Sequence, residues 1–276
     1  MKKILLFLLL SFQLFAQETA LQRYFFDDET PIQKEAAEFK SRVEADGGIV
    51  FNFSRLNDEI YKSKADGSRS KYAIWGSPLY GVKINANNKV LKLYDVFGKD
   101  LVQSDTSKAP TLVWVNGKPV IRFDGVNDYL KSASMTLNQP TVVYIGIKQL
   151  SWATPRAIFD GYTGDVMSLV TGSVSPRLKI ASGNVLGENS NLPLNKMGLV
   201  KCVFNGVNSA LQIDNTAALT GNAGTSNGGG LTLGAWGGIG YYTNIELSEI
   251  RILLSLPTTQ QDTNIKNSMN QTWGIY

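Results

Sequence analysis

Residues 112–123 read LVWVNGKPVIRF, which is two short apolar runs separated by Asn116-Gly117-Lys118-Pro119. Asn-Gly between two such runs favours a tight turn, because both residues tolerate the positive φ that a two-residue hairpin turn requires. The stretch therefore predicts a β-hairpin, with strands over residues 112–115 and 120–123.

Apolar residues that recur with a period of two, as in β-strands, are also found on both sides of this hairpin. Turn-forming residues punctuate the gaps between the apolar runs. Further strands are predicted over residues 82–84, 89–94, 142–147, 157–160, 166–170, 178–181, 199–205, 210–214, 231–236 and 246–254. Strands this short, numerous and evenly spaced predict a mainly β fold, a two-sheet antiparallel sandwich or jelly roll.

Helices are predicted before this β region. Residues 17–75 are highly charged, and Ala36, Phe39 and Val43 lie on one helical stripe, with Thr30 as the N-cap and Pro31 in the first turn. A second helix is predicted around residues 56–64. We therefore expect an N-terminal helical region over residues 17–75 and a sandwich domain over residues 76–276.

A helix is also predicted at the end of the chain. Ile265, Met269 and Trp273 recur at steps of four, Thr259 is suited to cap the helix, and Gly274 is placed to end it. This helix is expected to pack against the sandwich.

Residues 1–16 have the pattern of a secretory signal peptide. Lys2 and Lys3 precede an apolar run that ends at the small residue Ala16. This leader predicts a secreted, periplasmic or cell-surface protein with no stable membrane insertion after cleavage. The formal net charge of +4 includes both lysines, and no basic cluster follows. We therefore expect no nucleic-acid partner.

The amino-acid composition limits the kinds of catalytic and metal site that the protein can have. The 276 residues are 43% hydrophobic, which is enough for a packed core, and they include no histidine. The lack of histidine excludes Ser-His-Asp and Cys-His catalysis as well as histidine metal ligation. Cys202 is the only cysteine, so no intramolecular disulfide forms, and its apolar neighbours predict a buried thiol.

Several segments carry a family resemblance. They read VIRFDGVNDYL over 120–130, KCVFNGVNS over 201–209, LTLGA over 231–235 and LSEI over 247–250, followed by the closing Trp273-Gly274-Ile275. In order and spacing, residues 80–276 resemble the laminin-G-like, concanavalin A-like jelly-roll family of lectins and glucanases. The resemblance implies a scaffold that binds glycans or proteins or acts on polysaccharides.

The region ahead of the sandwich carries a second, less specific resemblance. Residues 39–48 read FKSRVEADGG, and Tyr80-Gly81-Val82-Lys83 follows, with another strand over 91–94. These segments resemble the leading part of phage and prophage structural proteins that carry the same jelly roll. The resemblance implies a virion component as an alternative.

Catalysis on this scaffold requires two carboxylates that converge on one sheet face. The nearest match is Glu246-Leu247-Ser248-Glu249, where regular strand alternation places Glu246 and Ser248 on one face and Glu249 on the other. We therefore expect no catalytic residues and no enzymatic activity. Glycoside hydrolysis is the one enzyme class that stays open.

Calcium is the one cofactor that the sequence keeps open. Asp124, Asn127 and Asp128 offer three side-chain oxygens within five residues, and jelly rolls of this family sometimes hold Ca²⁺ at a loop rim. Ca²⁺ needs six to eight oxygens, so other segments would have to complete such a site. An Asp-Gly turn ahead of a strand explains the same residues without an ion.

Aromatic residues give the remaining functional signal. Trp236, Tyr241 and Tyr242 border the glycine-rich residues 237–240, and Asn244 follows them. Flat aromatic faces stack on sugar C–H patches, while amides bind hydroxyls, so these four residues predict a ligand-binding site. The alternative is that these aromatic side chains only cover the edge of the hydrophobic core. Trp114, within a strand, and Trp273, on a helical stripe, are expected in the core.

We therefore expect an exported, non-catalytic binding protein that recognises a glycan or another cell-surface ligand through jelly-roll loops. A phage virion structural or receptor-binding protein is one alternative, located in the virion. A polysaccharide hydrolase on the same fold is another. The residues leave homo-oligomerisation open.

Overall fold

A computed structural model describes residues 31–162, 166–237 and 240–276. The expected signal peptide over residues 1–16 and the Thr30 cap lie outside the described residues. The described helices are α1 Pro31–Ala45, α2 Phe53–Ala65 and α3 Thr259–Trp273. Among the described residues, no helix is both long and apolar enough to cross a membrane.

The described strands form two antiparallel sheets. They are β1 Tyr72–Gly76, β2 Val82–Ile84, β3 Val90–Leu93, β4 Leu101–Val102, β5 Thr111–Val115, β6 Lys118–Asp124, β7 Leu130–Ser132, β8 Thr141–Gln149, β9 Ala157–Asp160, β10 Ser168–Thr171, β11 Leu178–Ala181, β12 Met197–Phe204, β13 Ser209–Ile213, β14 Leu219–Gly221, β15 Thr232–Leu233 and β16 Asn244–Leu253. The first sheet has the order β14-β13-β12-β8-β16-β6-β5, with β1 also paired to β16, and the second has the order β11-β10-β9-β15-β7-β4-β3-β2.

The predicted mainly β sandwich is thus confirmed. Strands β5 and β6 flank the predicted turn, where Asn116 and Gly117 have φ of +49° and +72°, as a two-residue hairpin turn requires. Strands β1, β4, β7 and β14 were not predicted. They have only two to five residues, and β1 and β7 pair with strands that are remote in the chain.

The main core lies between the two sheets. Strand β8 contributes Val143, Ile145 and Ile147 to it, while Val142 and Tyr144 on the opposite face of the same strand pack under the helices. Burial on both faces explains the continuously apolar run of this strand. Cys202 is fully buried in the main core, as predicted, and burial raises the pKa of its thiol.

The helices cover the outer face of the first sheet and build a second core there. Phe39 of α1, Ile60 of α2 and Met269 of α3 belong to this core, as does Trp273, which confirms its predicted burial. Strand β1 begins at Tyr72, within the region expected to be helical, and pairs with β16. The N-terminal helices therefore pack directly on the sandwich.

Two sequence predictions in these layers are wrong. Thr258, not Thr259, caps α3, because its hydroxyl accepts the N–H of Gln261 while the Gln261 side chain accepts the N–H of Thr258. Trp114 is 58% exposed instead of buried. It lies on the edge strand β5, where its ring meets Phe51 edge-on at a centroid distance of 5.2 Å.

Candidate functional site

A loop over residues 234–243 leaves the second sheet after β15 and returns beside β9. The N–H of Gly234 donates to Ile158 O, and the N–H of Thr243 donates back to Gly234 O, so the loop closes at its base. On the returning side, the N–H of Ala157 donates to Tyr241 O. Residues 238 and 239 lie outside the described part of the chain.

Two side chains of the second sheet hold the tip of this loop. Asp160 at the end of β9 accepts the N–H of Gly237 at 3.1 Å, and Lys131 of β7 donates its Nζ to Gly237 O at 3.0 Å. Asp160 is fully buried. The Asp160 carboxylate and the Lys131 ammonium thus bind the backbone N–H and C=O of Gly237 and hold this part of the loop on the second sheet.

The loop presents a pair of aromatic rings. Trp236 and Tyr241 have ring centroids 4.8 Å apart, and their planes are inclined by 46°. The N–H of Trp236 donates to Gly240 O, which closes the loop between the two rings. Tyr241 is 47% exposed, so part of this aromatic pair faces solvent.

A third aromatic side chain is linked to this loop through Lys131. The Nζ of Lys131 is 3.9 Å from the ring centroid of Tyr162, in addition to its bond to Gly237 O. Lys131 therefore connects Tyr162 with the loop that carries Trp236. Tyr162 and Tyr241 have φ of +94° and +54°. Positive φ is uncommon for residues other than glycine, and residues with a strained backbone cluster at functional sites.

The structure joins two of the four residues predicted to bind ligand. Trp236 and Tyr241 are in ring contact, whereas no aromatic ring among the described residues contacts Tyr242. Asn244 begins β16 opposite Asp124, and its side-chain amide makes no hydrogen bond to another described residue. Lys131 and Asp160 were missed as site residues because their proximity to the loop depends on sheet pairing.

The predicted calcium ligands form a turn. One carboxylate oxygen of Asp124 accepts the N–H groups of Val126, Asn127 and Asp128, and Asp128 Oδ2 accepts the N–H of Asp124. No group of three acidic or other metal-ligating side chains suited to an ion occurs among the described residues. Calcium binding at Asp124, Asn127 and Asp128 stays a prediction that this geometry does not favour.

Substituting Asp128→Asn should stabilise the protein by about 1–3 kcal/mol at pH 7.5. Burial, and secondarily the charge of Asp124, raises the pKa of Asp128 to about 6, above its ordinary value of 3.8. The ionised carboxylate therefore costs stability above pH 6, and this cost disappears as the pH falls below about 4. Urea unfolding of both proteins at pH 7.5 and pH 4 measures the difference. A loss of stability that appears only with added Ca²⁺ would instead support the predicted metal site.

The two glutamates considered for catalysis are buried in ion pairs on the first sheet. Glu246 is fully buried and binds Arg122 of β6 and Lys148 of β8. Glu249 is also fully buried and accepts the indole N–H groups of Trp75 and Trp273 at 2.9 and 2.8 Å, and the Nε of Arg251 at 2.6 Å. Both carboxylates thus have a structural explanation.

The predicted faces of these residues are wrong because β16 contains a bulge. Leu247 pairs with Ile147 while Glu249 pairs with Gly146, so Ser248 is the extra residue. The bulge reverses the alternation and brings Glu249 to the same outer face as Glu246. The Ser248 hydroxyl donates to Gly146 O, at a position where a Cβ on residue 146 would clash with it.

Comparison with known proteins places the chain by its fold alone. No family model matches the sequence, and no curated protein matches it. A sialidase of Trypanosoma rangeli with a covalent intermediate gives a TM-score of 0.54 at 9% identity, over 87% of this chain and 38% of that one. An arabinofuranosidase gives 0.51 at 11% identity, over 66% of this chain and 50% of that one.

A third similar structure is a binding domain. The binding domain of Paraclostridial Mosquitocidal Protein 1 gives a TM-score of 0.50 at 10% identity, over 72% of this chain and 52% of that one. This chain spans about a third to a half of the length of these neighbours. They confirm the β-sandwich and are consistent with the concanavalin A-like fold, while the laminin-G-like and phage resemblances stay predictions.

These neighbours contradict the expectation that the chain has no enzymatic activity. Sialidases and an arabinofuranosidase are glycoside hydrolases, and they share the fold of this chain. The expectation relied partly on the missing histidine. Glycoside hydrolysis uses carboxylates, or in some enzymes a tyrosine nucleophile, so the lack of histidine does not exclude it.

Proposed function

We propose that the chain is a glycan-recognising β-sandwich whose binding surface is the loop 234–243 with its paired rings of Trp236 and Tyr241. The observation that carries this proposal is that pair, 4.8 Å apart and partly solvent-facing. A sugar ring has apolar C–H faces that aromatic rings cover well, and it has hydroxyls that nearby polar groups can bind.

The surroundings of the rings support the same class of ligand. Lys131 contacts both the ring of Tyr162 and Gly237 of the loop, which brings one further aromatic side chain and a cation to this region. Asp160 and Lys131, from two strands of the second sheet, anchor Gly237 next to Trp236, so this part of the loop is held in place before a ligand arrives. The similar structures include proteins that act on glycosides, which adds to the case for a glycan ligand.

The test is a glycan array and a polysaccharide pull-down with the full chain and three variants. Trp236→Ala and Tyr241→Ala should each weaken binding roughly tenfold or more, because each removes one stacking face. Trp114→Ala is the matched control, since it removes an exposed tryptophan from the edge strand β5. The assignment is wrong if Trp114→Ala abolishes binding while Trp236→Ala leaves it intact, or if no glycan is bound.

Release of reducing sugar from the bound glycan is measured in the same experiment. Because similar folds carry glycoside hydrolases, turnover would extend the proposal from recognition to hydrolysis. The variants Glu246→Gln and Glu249→Gln then test the two buried carboxylates directly, and release that survives both substitutions assigns catalysis to other groups.

A further inference from the structure

A cleft lies where the β5–β6 hairpin meets the start of α2 and the last turn of α3. Its volume is about 430 Å³, which is within the range of small-molecule sites. The residues that line it include Trp114 and Lys118 of the hairpin, Phe51 and Arg55 at the start of α2, and Gln271 of α3. The cleft shares no lining residue with the loop 234–243. A ligand bound here would therefore not compete directly with a glycan on that loop.

One wall of the cleft is aromatic and open to solvent. Trp114 is 58% exposed, so its ring is accessible to a ligand. Phe51 meets this ring edge-on at a centroid distance of 5.2 Å, which supports its orientation. Leu79 and Pro119 add apolar surface beside the two rings. A flat apolar ligand is therefore well suited to cover Trp114, because it would remove exposed apolar surface from water.

The charged residues that line the cleft are both cations. They are Arg55 and Lys118, and no carboxylate of the described residues lines the cleft with them. Arg55 is neutralised from within α2, since it lies 2.8 Å from Glu59 and 3.8 Å from Asp58. The side chain of Lys118 is partly exposed and makes no ion pair or hydrogen bond to any residue that the structure describes. The cleft thus has one uncompensated positive charge, which favours an anionic ligand.

The start of α2 contributes to the same positive potential. Asn52 caps this helix and lines the cleft, and the first turn of the helix contains no acidic residue. The positive end of the helix dipole is therefore not compensated by a side chain at this position. It adds to the charge of Lys118 and has the same preference for an anion.

The other polar groups of the cleft are few and partly occupied. Asn52 Oδ1 accepts the N–H of Arg55, and the Thr272 hydroxyl donates to Ser268 O. Few acceptors therefore remain for the many hydroxyl groups of a sugar, whose desolvation would not be compensated. A ligand with one anionic group and an otherwise apolar body fits these groups better.

We propose that this cleft is a second binding site, which takes an aromatic carboxylate of one or two rings. The ring of the ligand stacks on Trp114, and its carboxylate pairs with the ammonium of Lys118. The aromatic wall supplies affinity for the ring, and the uncompensated cation selects the anion over neutral or cationic molecules of the same shape. This proposal does not depend on glycan binding at the loop 234–243.

The experiment titrates the full chain with naphthoate and with two ligands of similar shape, the neutral naphthamide and the cationic naphthylmethylamine. Ligand-observed NMR and calorimetry measure binding, and glucuronate serves as a carboxylate without an aromatic ring. Naphthoate should bind most tightly, naphthamide more weakly, and naphthylmethylamine and glucuronate most weakly. The order follows because only naphthoate satisfies both the aromatic wall and the unpaired cation.

Two variants separate the charge from the aromatic wall. Lys118→Gln should weaken naphthoate binding roughly three- to tenfold and leave naphthamide binding unchanged, because it removes only the cation. Lys179→Gln is the matched control, since Lys179 on β11 is also partly exposed without an ion pair to a described residue but does not line the cleft. Trp114→Ala should weaken binding of both naphthoate and naphthamide roughly tenfold or more.

A third variant blocks the cleft from an exposed position. Gln271→Trp should abolish naphthoate binding, whereas Asn267→Trp should leave it unchanged, because Asn267 lies one turn earlier on α3, is also exposed and does not line this cleft. The proposal is overturned if naphthoate does not bind at millimolar concentration, or if naphthylmethylamine or glucuronate binds as tightly. It is equally overturned if the two lysine variants, or the two tryptophan insertions on α3, behave alike.

Discussion

Arg251→Met should destabilise the folded protein by about 3–5 kcal/mol. The guanidinium is 2% exposed and lies between two buried carboxylates, with Nε 2.6 Å from Glu249 and Nη2 3.2 Å from Glu59. It also covers the ring of Trp75 at 4.4 Å. Removing it leaves the buried Glu249 carboxylate without its counterion and Glu59 with Arg55 as its one remaining cationic partner, and the desolvation of Glu249 is not recovered elsewhere.

Urea or thermal unfolding measures this effect, with Arg122→Met as the control. Arg122 also pairs with a buried glutamate, but its side chain is 46% exposed, and Glu246 keeps Lys148 as a second partner. The control should lose about 1 kcal/mol. Adding Glu59→Gln and Glu249→Gln to Arg251→Met should restore part of the stability. Equal losses in both arginine variants would contradict the assigned role of the Arg251 network.

Gly234→Ala should cost about 3 kcal/mol or more and should also weaken glycan binding. Gly234 has φ of +83°, a backbone conformation that alanine adopts only with strain. An added Cβ would clash with the ring of Phe123 and lie 3.0 Å from Asp128 O. Because Gly234 closes the base of the loop that carries Trp236 and Tyr241, any shift that relieves the clash displaces the aromatic pair.

Gly240→Ala is the matched substitution in the same loop. An added Cβ there meets no atom of the described residues within 4 Å, and the residue is not among those with positive φ. Unfolding and glycan-binding measurements on both variants distinguish the effect of strain and close packing at Gly234 from the general effect of replacing a glycine in this loop. If Gly240→Ala were as destabilising as Gly234→Ala, close packing at Gly234 would not be the cause.

The hairpin at Asn116-Gly117 and the longer strands were predictable because their signals are local. A turn that needs positive φ selects Asn-Gly, and a strand with one buried face alternates. The bulge in β16 was not predictable in this way. It depends on the pairing of Glu249 with Gly146, about a hundred residues away in the chain, and on the Ser248 hydroxyl that occupies the space beside that glycine.

Trp114 and Trp273 illustrate the same limit for burial. Trp114 lies in an apolar run and Trp273 on an apolar helical stripe, yet only Trp273 is covered, because α3 lies on the first sheet while β5 is an edge strand. An edge position follows from the strand order and not from the residues of the strand itself.

For the candidate site, Trp236 and Tyr241 were identified from their position beside the glycine-rich loop. Their support by Lys131 and Asp160 comes from two other strands of the second sheet, and Tyr162 follows the end of one of these strands. The cleft lined by Trp114 and Gln271 had no signal in the sequence, because it forms between the β5–β6 hairpin and two helices that are distant from each other in the chain.

The sequence by itself determined the kinds of local structure: short alternating strands, a two-residue turn, amphipathic helices, and an aromatic pair beside glycines. Only the tertiary structure decided which residues meet across strands and helices, and therefore which carboxylates are neutralised, which rings face solvent and where a cleft remains. The reason is that backbone conformation responds to neighbours a few residues away, whereas burial and charge pairing depend on contacts between segments distant in the chain.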